Sequence, residues 1–331
     1  MTTTARHQLA LGFEPGAAGR ATIAQEIGDA APVVVLAGLD AAARAAALDS
    51  AAVLLTRNTA RDLQPGEAGR LAGARLVQFV TAGIDFVPLG DLPPGVLVAS
   101  NAGAYAAPMA EHALAMALAA AKRLLPEHAA LVRGEFNQSA RNRMLAGMTA
   151  GILGFGGIGQ ATARLLRALG VRVHAINRSG RSDEIVEWIG RPEQLDALLA
   201  ASDILVVSAP LTRATEGMIG ARELALMKPD AILVNLARGE IIDEAALFAH
   251  LRAHPAFTAC LDAWWIEPVR HGRFAMDHPF MTLPNVIGSP HNSASVAQSG
   301  PESLRLAAQN CRRALLGEPI RNLVTAADRY L

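Results

Sequence analysis

The sequence predicts an α/β protein made of two doubly wound, mostly parallel sheets. Apolar runs of strand length alternate with segments of helical period from one end to the other, the pattern of repeated βαβ units. The runs fall into two series, separated by a long apolar helix and a charged arm. At 331 residues the chain is long enough for two cores.

The composition narrows the class further. The chain is 51% apolar and 18% charged, within the range of soluble globular proteins. A formal net charge of zero provides no field for nucleic acid or an anionic membrane. The longest apolar run, Ala113 to Ala121, is about half of a bilayer span. Met1 to His7 leads into Leu9-Ala10-Leu11 without a cleavage-site pattern. Cys260 and Cys311 are lone thiols outside any CxxC, which fits a reducing cytoplasm.

The first series predicts five strands, near His7–Phe13, Pro32–Gly38, Ala51–Arg57, Arg75–Val80 and Val96–Ser100. Alanine-rich helical segments join them, giving a small doubly wound, flavodoxin-like domain. A long helix over Ala106–Leu124 follows, its small residues suited to close packing, and Pro126–Met148 reads as a connecting arm. The second series predicts six strands: Thr149–Leu153, Val171–Ile176, Ile204–Ser208, Ile232–Asn235, Ala259–Asp262 and Val286–Ser289. Six is the number a full dinucleotide-binding sheet uses. Ser295–Gly317 reads as a last helix that returns to the first domain. The expected division is residues 1–101 with 293–331 as one domain and 102–292 as the other, with a cleft between them.

The most specific local signal is Gly154-x-Gly156-x-x-Gly159 between the strand Thr149–Leu153 and a helix over Gln160–Leu169, with an apolar stripe at Ile158, Leu165 and Leu169. This is the Rossmann context. Gly154 permits the tight turn, Gly156 lets backbone approach a pyrophosphate, and Gly159 lets helix and strand pack closely. Gly157 and Ile158 complete the loop at the helix N-terminus, where free N–H groups and the dipole favour anions. No Gly-Lys-Ser/Thr follows, so a Walker-type loop is excluded.

The next strand ends Asn177-Arg178-Ser179-Gly180-Arg181, without the carboxylate that would bind a ribose 2′-hydroxyl. Arginine and serine there would instead bind a 2′-phosphate. The expectation is NADP(H) in preference to NAD(H), with Asn177, Arg178 and Ser179 as contacts. The alternative is that Arg178 is a solvated loop residue stacking on adenine.

Three further residues follow strands of the second series. Arg238, after Ile232–Asn235, lies at a carboxyl edge, where its guanidinium could grip a carboxylate and polarise the adjacent carbonyl. Asp243 is the expected N-cap of the following helix. Glu267 lies five residues after Asp262, behind Trp264 and Trp265, which could wall off solvent. Spacing alone would leave it an ordinary solvated glutamate. His291 follows the last strand, and Pro290 stiffens the approach. His271, His278 and Glu267 match no metal-ligand spacing, so no metal site is expected.

With these residues the chain resembles the D-isomer-specific 2-hydroxyacid dehydrogenase family, over about Leu76 to Val296. Thr81-Ala82-Gly83-Ile84-Asp85 resembles its substrate loop, Asn101-Ala102-Gly103-Ala104-Tyr105 to Met109-Ala110-Glu111-His112 its hinge and long helix, and Ser208-Ala209-Pro210-Leu211-Thr212 with Thr215 its adenine-side segment. The resemblance implies that Arg238 binds and polarises a 2-oxo acid, with Ala82 and Gly83 helping through backbone amides. It implies that His291 is the acid–base residue and Glu267 its partner. It places Asp262 and the backbone around Ala237 at the nicotinamide, and Ala209, Pro210 and Thr215 on the adenine side. It also implies a homodimer formed through the nucleotide-binding domains. Formate dehydrogenases of the superfamily lack the glutamate partner of the histidine, so Glu267 argues against that activity.

The expected chemistry is reversible hydride transfer between nicotinamide and a small 2-oxo or D-2-hydroxy acid, of the glyoxylate/hydroxypyruvate reductase kind. Two rivals remain at this stage. One is a dinucleotide-sensing co-regulator of the same fold, although long disordered tails are missing from the sequence. The other is a dehydrogenase of another small oxyanion such as phosphite.

Overall fold

The computed structural model describes residues 7–325 and Asp328. The chain forms two compact units, one containing residues up to Tyr105 and from Val296 onwards, the other Ala106–Ser295. Each carries an all-parallel sheet.

In chain order the first unit runs β1 (Gln8–Leu11), α1 (Gly16–Ile27), β2 (Val33–Val35), α2 (Ala41–Ser50), β3 (Ala51–Thr56), α3 (Thr59–Asp62), β4 (Leu76–Phe79) and β5 (Leu97–Ala99). The sheet order is β2-β1-β3-β4-β5, the flavodoxin-like winding. Alternation along the strands splits the core in two. Leu9, Leu11, Val53, Leu55 and Leu76 face one layer. Ala10, Leu54, Val77 and Phe79 face the other. Asp40 and Asn58 cap α2 and α3 by accepting from Ala43 N and Ala60 N.

The second unit runs α4 (Ala106–Ala121), α5 (Leu124–Val132), β6 (Thr149–Leu153), α6 (Gly157–Ala168), β7 (Arg172–Ile176), β8 (Trp188–Gly190), α7 (Leu195–Ala201), β9 (Ile204–Val207), α8 (Ala221–Leu226), β10 (Ile232–Asn235), α9 (Glu244–Ala253), β11 (Thr258–Leu261), α10 (Pro268–His271) and β12 (Val286–Gly288). Its sheet order is β12-β11-β10-β9-β6-β7-β8. The order reverses between β6 and β9, the switch point of a Rossmann sheet. β9 and β10 are unbroken apolar runs, apart from Asn235, and are buried throughout, as strands covered on both faces must be. Asp243 caps α9 by accepting from Ala246 N.

The chain then returns to the first unit with α11 (Ser299–Leu316). Leu304, Ala307, Ala308, Cys311 and Ala314 recur at helical spacing and pack beside Leu9 and Leu11. Asn310 Nδ2 donates to Gln78 Oε1 at 2.7 Å, satisfying two buried amides on α11 and β4.

Four expectations need correction. The second sheet has seven strands, because Trp188–Gly190 adds an edge strand paired only with β7. At three residues, among charged neighbours, it carries too little periodicity to be read. The arm is partly helical: α5 spans Leu124–Val132, and Pro126 is tolerated because a first-turn residue needs no N–H donor. The long helix before it stops at Ala121, and Arg123 takes φ 51° between the two. Finally, α6 starts at Gly157 and buries Gly159, Thr162, Ala163 and Leu166, while Leu169 is exposed. Small side chains make that buried face because α4, itself alanine-rich, lies close against it.

Cys260 and Cys311 are free and buried. Burial pushes the Cys260 thiol up to about 12 and raises that of Cys311 as well. Among the described residues no helix is long and apolar enough to cross a membrane.

Candidate active site

The register of the second sheet gathers the site. Ile176, Leu153, Val207, Asn235, Leu261 and Gly288 are aligned across neighbouring strands. Each singled-out residue lies shortly beyond that row: Gly154 and Asn177 by one position, Ala209 by two, Arg238 by three, Asp262 by one, His291 by three. A parallel sheet places all these loops at one carboxyl edge, where open α/β sheets bind ligands.

At the switch point Gly154 has φ 98°, and a Cβ there would lie 2.3 Å from Ala209 N. Only glycine fits that turn. Ser208 Oγ donates to Gly154 O at 2.8 Å, fastening the two loops together. A Cβ at Gly159 would strike Gly154 O at 2.5 Å, so helix and turn need glycine for their approach. At Gly156, by contrast, a Cβ would meet nothing within 4 Å. That open side leads to the first turn of α6, which holds no acidic residue. The first N–H groups of a helix lack partners within it, so Gly156, Gly157, Ile158 and Gly159 fit a pyrophosphate.

At the tip of β7 the Asn177 side chain builds the loop itself. Its Oδ1 accepts from Ser179 N, Ser179 Oγ and Gly180 N at 3.1, 3.1 and 2.7 Å, and its Nδ2 donates to Arg181 O at 2.8 Å. Arg178 and Ser179 are exposed at the rim. Thr215 Oγ1 donates to Pro210 O at 2.7 Å and accepts from Thr212 N at 2.8 Å, closing the loop after β9.

After β10 the Asn235 side chain shapes the turn that carries Arg238. Its Oδ1 accepts from Ala237 N at 3.0 Å, and its Nδ2 donates to Arg238 O at 2.8 Å. A Cβ at Gly239 would lie 2.5 Å from the Trp264 carbonyl carbon and Trp265 N. Glycine therefore lets the arginine turn press on the segment that carries Glu267. Arg238 is half-buried, and one of its Nη atoms donates to Ala237 O at 2.7 Å.

The His291 and Glu267 side chains meet. His291 Nδ1 lies 2.8 and 2.7 Å from the two Glu267 oxygens. Burial alone would raise the Glu267 carboxyl. The hydrogen bonds and charge of His291, the Trp264 N–H and the charge of Arg238 outweigh burial and hold it below its ordinary value. His291 has φ 50°, a left-handed backbone that a non-glycine residue adopts only when its surroundings impose it.

Asp262 supplies much of that imposition. It is fully buried and accepts from Ser289 Oγ at 2.5 Å, Asn292 N at 3.1 Å and Ser293 N at 3.2 Å, on both sides of His291. Burial would raise the Asp262 carboxyl, and these donors hold it down instead. Its carboxylate therefore clamps the histidine loop. Two braces were not visible as such in the sequence: His112 of α4, with Nε2 3.0 Å from Ser289 Oγ, and Trp264, whose indole donates to Ser289 O at 2.8 Å. The contacts span 177 and 25 positions, and no local pattern encodes them.

His271 Nδ1 accepts from Glu267 N at 3.1 Å and His278 stacks on Phe248. Among the described residues no cluster of His, Cys, Asp or Glu is arranged to hold a metal ion.

A Rossmann sheet with a glycine turn at its switch point defines a dinucleotide-binding domain, and a Glu–His pair lies on the same edge. Residues 114–293 match the family model "D-isomer specific 2-hydroxyacid dehydrogenase, NAD binding domain". The chain belongs to that family of dehydrogenases. It is 33% identical over 233 residues to a D-3-phosphoglycerate dehydrogenase of Methanocaldococcus jannaschii, covering 70% of this chain and 43% of that one. The chain thus spans less than half the length of that relative. It is 32% identical over 245 residues to a glyoxylate reductase of Thermococcus gammatolerans, covering 71% and 72%. Among solved structures it resembles a D-isomer specific 2-hydroxyacid dehydrogenase from Xanthobacter autotrophicus in complex with NADPH and MES, with a TM-score of 0.76, 27% identity and coverage of 97% and 98%.

Proposed function

We propose that the protein is an NAD(P)-dependent D-2-hydroxyacid dehydrogenase that interconverts a small 2-oxo acid and its D-2-hydroxy acid. The observation that carries this reading is the His291–Glu267 pair, 2.7 Å apart on the sheet edge that also bears the glycine turn and Arg238. The glyoxylate reductase relative supports glyoxylate or hydroxypyruvate as the first substrates to try. The co-regulator reading gains nothing from this geometry, because a sensor needs no paired imidazole.

Bound nicotinamide would supply or accept the hydride at C2 of the acid. The protein's part is proton and charge management. Glu267 occupies Nδ1 of His291, which leaves Nε2 as the atom that gives a proton to the substrate oxygen in reduction and takes it back in oxidation. The Arg238 guanidinium grips the carboxylate and steadies negative charge as it grows on the neighbouring oxygen. Ala82 and Gly83, in the first unit, are proposed backbone contacts of that carboxylate, and that unit is the proposed substrate domain. Asp262 fixes the histidine loop from behind.

For the cofactor we propose NADP(H) over NAD(H). Arg178, Ser179 and Arg181 stand at the tip of β7 with no acidic residue among them, and the Xanthobacter relative was solved with NADPH. Purified protein should consume NADPH with glyoxylate or hydroxypyruvate at a higher kcat/KM than NADH, and an NADH preference would reverse this assignment. Turnover of none of a panel of 2-oxo acids and phosphite would refute the enzyme reading.

A homodimer is proposed through the face of α5 and the arm after it. Leu124, Leu131, Val132, Phe136 and Met144 are all more than half exposed there, and apolar side chains exposed along one segment favour burial against a partner. Sedimentation should give twice the chain mass; a monomer at micromolar concentration would contradict it. Two free buried thiols are compatible with a cytoplasmic setting, also a proposal.

A further inference from the structure

We propose that Trp264 is a positioning residue that sets the His291 imidazole against the Glu267 carboxylate. The proposal builds on the roles assigned to those two residues above. Trp264 holds both halves of the pair at once. Its backbone N–H donates to Glu267 Oε1 at 2.8 Å, and its indole Nε1–H donates to Ser289 O, also at 2.8 Å, two residues before His291.

The indole can act as a rigid gauge because it is itself fixed. Trp264 is 5% exposed. Its ring meets Phe274 and Phe280 edge-on, with centroids 5.6 and 6.5 Å away. Against its other end lies Gly288, where a Cβ would come within 3.0 Å of Trp264 Cζ2. The backbone of Gly239 closes on the Trp264 carbonyl, so the Arg238 turn rests on the same residue. Asp262 holds the Ser289 hydroxyl and the N–H groups after His291, whereas Trp264 holds the Ser289 carbonyl before it. The left-handed backbone of His291 therefore has a fixed point on each side. A phenylalanine could fill the apolar site, but the donor to Ser289 needs an indole.

The test is Trp264→Phe, which keeps the ring and the backbone donor to Glu267 and removes the donor to Ser289. In the full-length protein the His291 Nδ1–H proton should give a downfield NMR resonance, assigned by its loss in His291→Gln. It should shift and broaden in Trp264→Phe. With a 2-oxo acid that the wild type reduces, kcat should fall about tenfold, with KM for NADPH unchanged, as expected for one lost hydrogen bond acting on the chemical step. An unchanged resonance with wild-type kcat would overturn the proposal. So would a lower melting temperature with both unchanged, which would make Trp264 a packing residue only. If Trp264→Phe fails to fold, benzothienylalanine at position 264 keeps the indole shape without the N–H and is read in the same way. If the wild type reduces no 2-oxo acid, the functional reading fails, while the NMR comparison still decides this one.

Discussion

Glu67 in the first unit and Glu267 in the second are both buried carboxylates with a nitrogen partner at 2.7 Å. Glu67 meets Arg44, which spends its whole guanidinium inside the protein. Arg44 Nε and Nη2 grip the two carboxylate oxygens at 2.8 and 2.7 Å, while its other contacts go to Leu36 O and Asp62 O. Gln64 N donates to the same carboxylate at 2.8 Å. Both side chains are about one-tenth exposed. Glu267 meets an imidazole whose side chain is 34% exposed. Its Nδ1 is held, and its other nitrogen is the proposed proton-transfer atom. Burial and pairing are thus shared by the two sites. What separates them is the chemistry of the partner, an imidazole rather than a guanidinium, and a face open to solvent. An arginine stays charged at every accessible pH, so the Arg44–Glu67 pair can fix α2 to the turn after α3 but cannot move a proton.

The largest contrast should come from removing the two nitrogen partners. His291→Ala should lower kcat/KM by roughly 10²–10⁴-fold, so that its main effect falls on turnover. Retention of wild-type turnover would break the assignment. Arg44→Met should do the reverse. It leaves Glu67 buried without its cation, at a cost of about 3–5 kcal/mol in unfolding free energy. The kcat per folded molecule should stay unchanged, as read by urea unfolding and by rate against active-site titre.

The same variant sharpens the comparison through pH. The Glu67 carboxyl lies below its ordinary 4.5, the Arg44 hydrogen bonds overcoming the opposing effect of burial. A carboxyl lowered by folding contributes stability that is fully present above 4.5 and is lost as pH falls through its folded value. In Arg44→Met burial acts against far weaker opposition, so the acid-side loss of stability should begin at higher pH. Urea midpoints measured from about pH 3 to 7 should show that shift, and an unmoved acid limb would mean that Arg44 does not set the Glu67 charge.

The sheets were legible because most of their interior strands, such as β3, β4, β9 and β10, are buried throughout and read as largely apolar runs. Of the interior strands, β6 and β10 keep the expected bounds, β11 is shifted by one residue and the others are trimmed by one or two residues at one or both ends, whereas β8, a three-residue edge strand, was invisible. The glycine turn was legible for a different reason: backbone curvature and close approach admit one residue type at Gly154. Arg238, Glu267 and His291 were legible only as residues just past strand ends. Nothing local distinguishes Glu267 from a solvated loop glutamate.

Apolar run length, glycine placement and helix caps act between near neighbours, so the sequence alone determined a pair of wound parallel sheets and the edge on which ligands must fall. Tertiary structure decided which of the edge residues meet. Sheet register brought residues 267 and 291 to within a hydrogen bond, and Asp262, Ser289, His112 and Trp264 took up their bracing places through contacts up to 177 positions apart. Such contacts arise from packing two neighbouring strands and a helix together, and no periodicity along the chain records them.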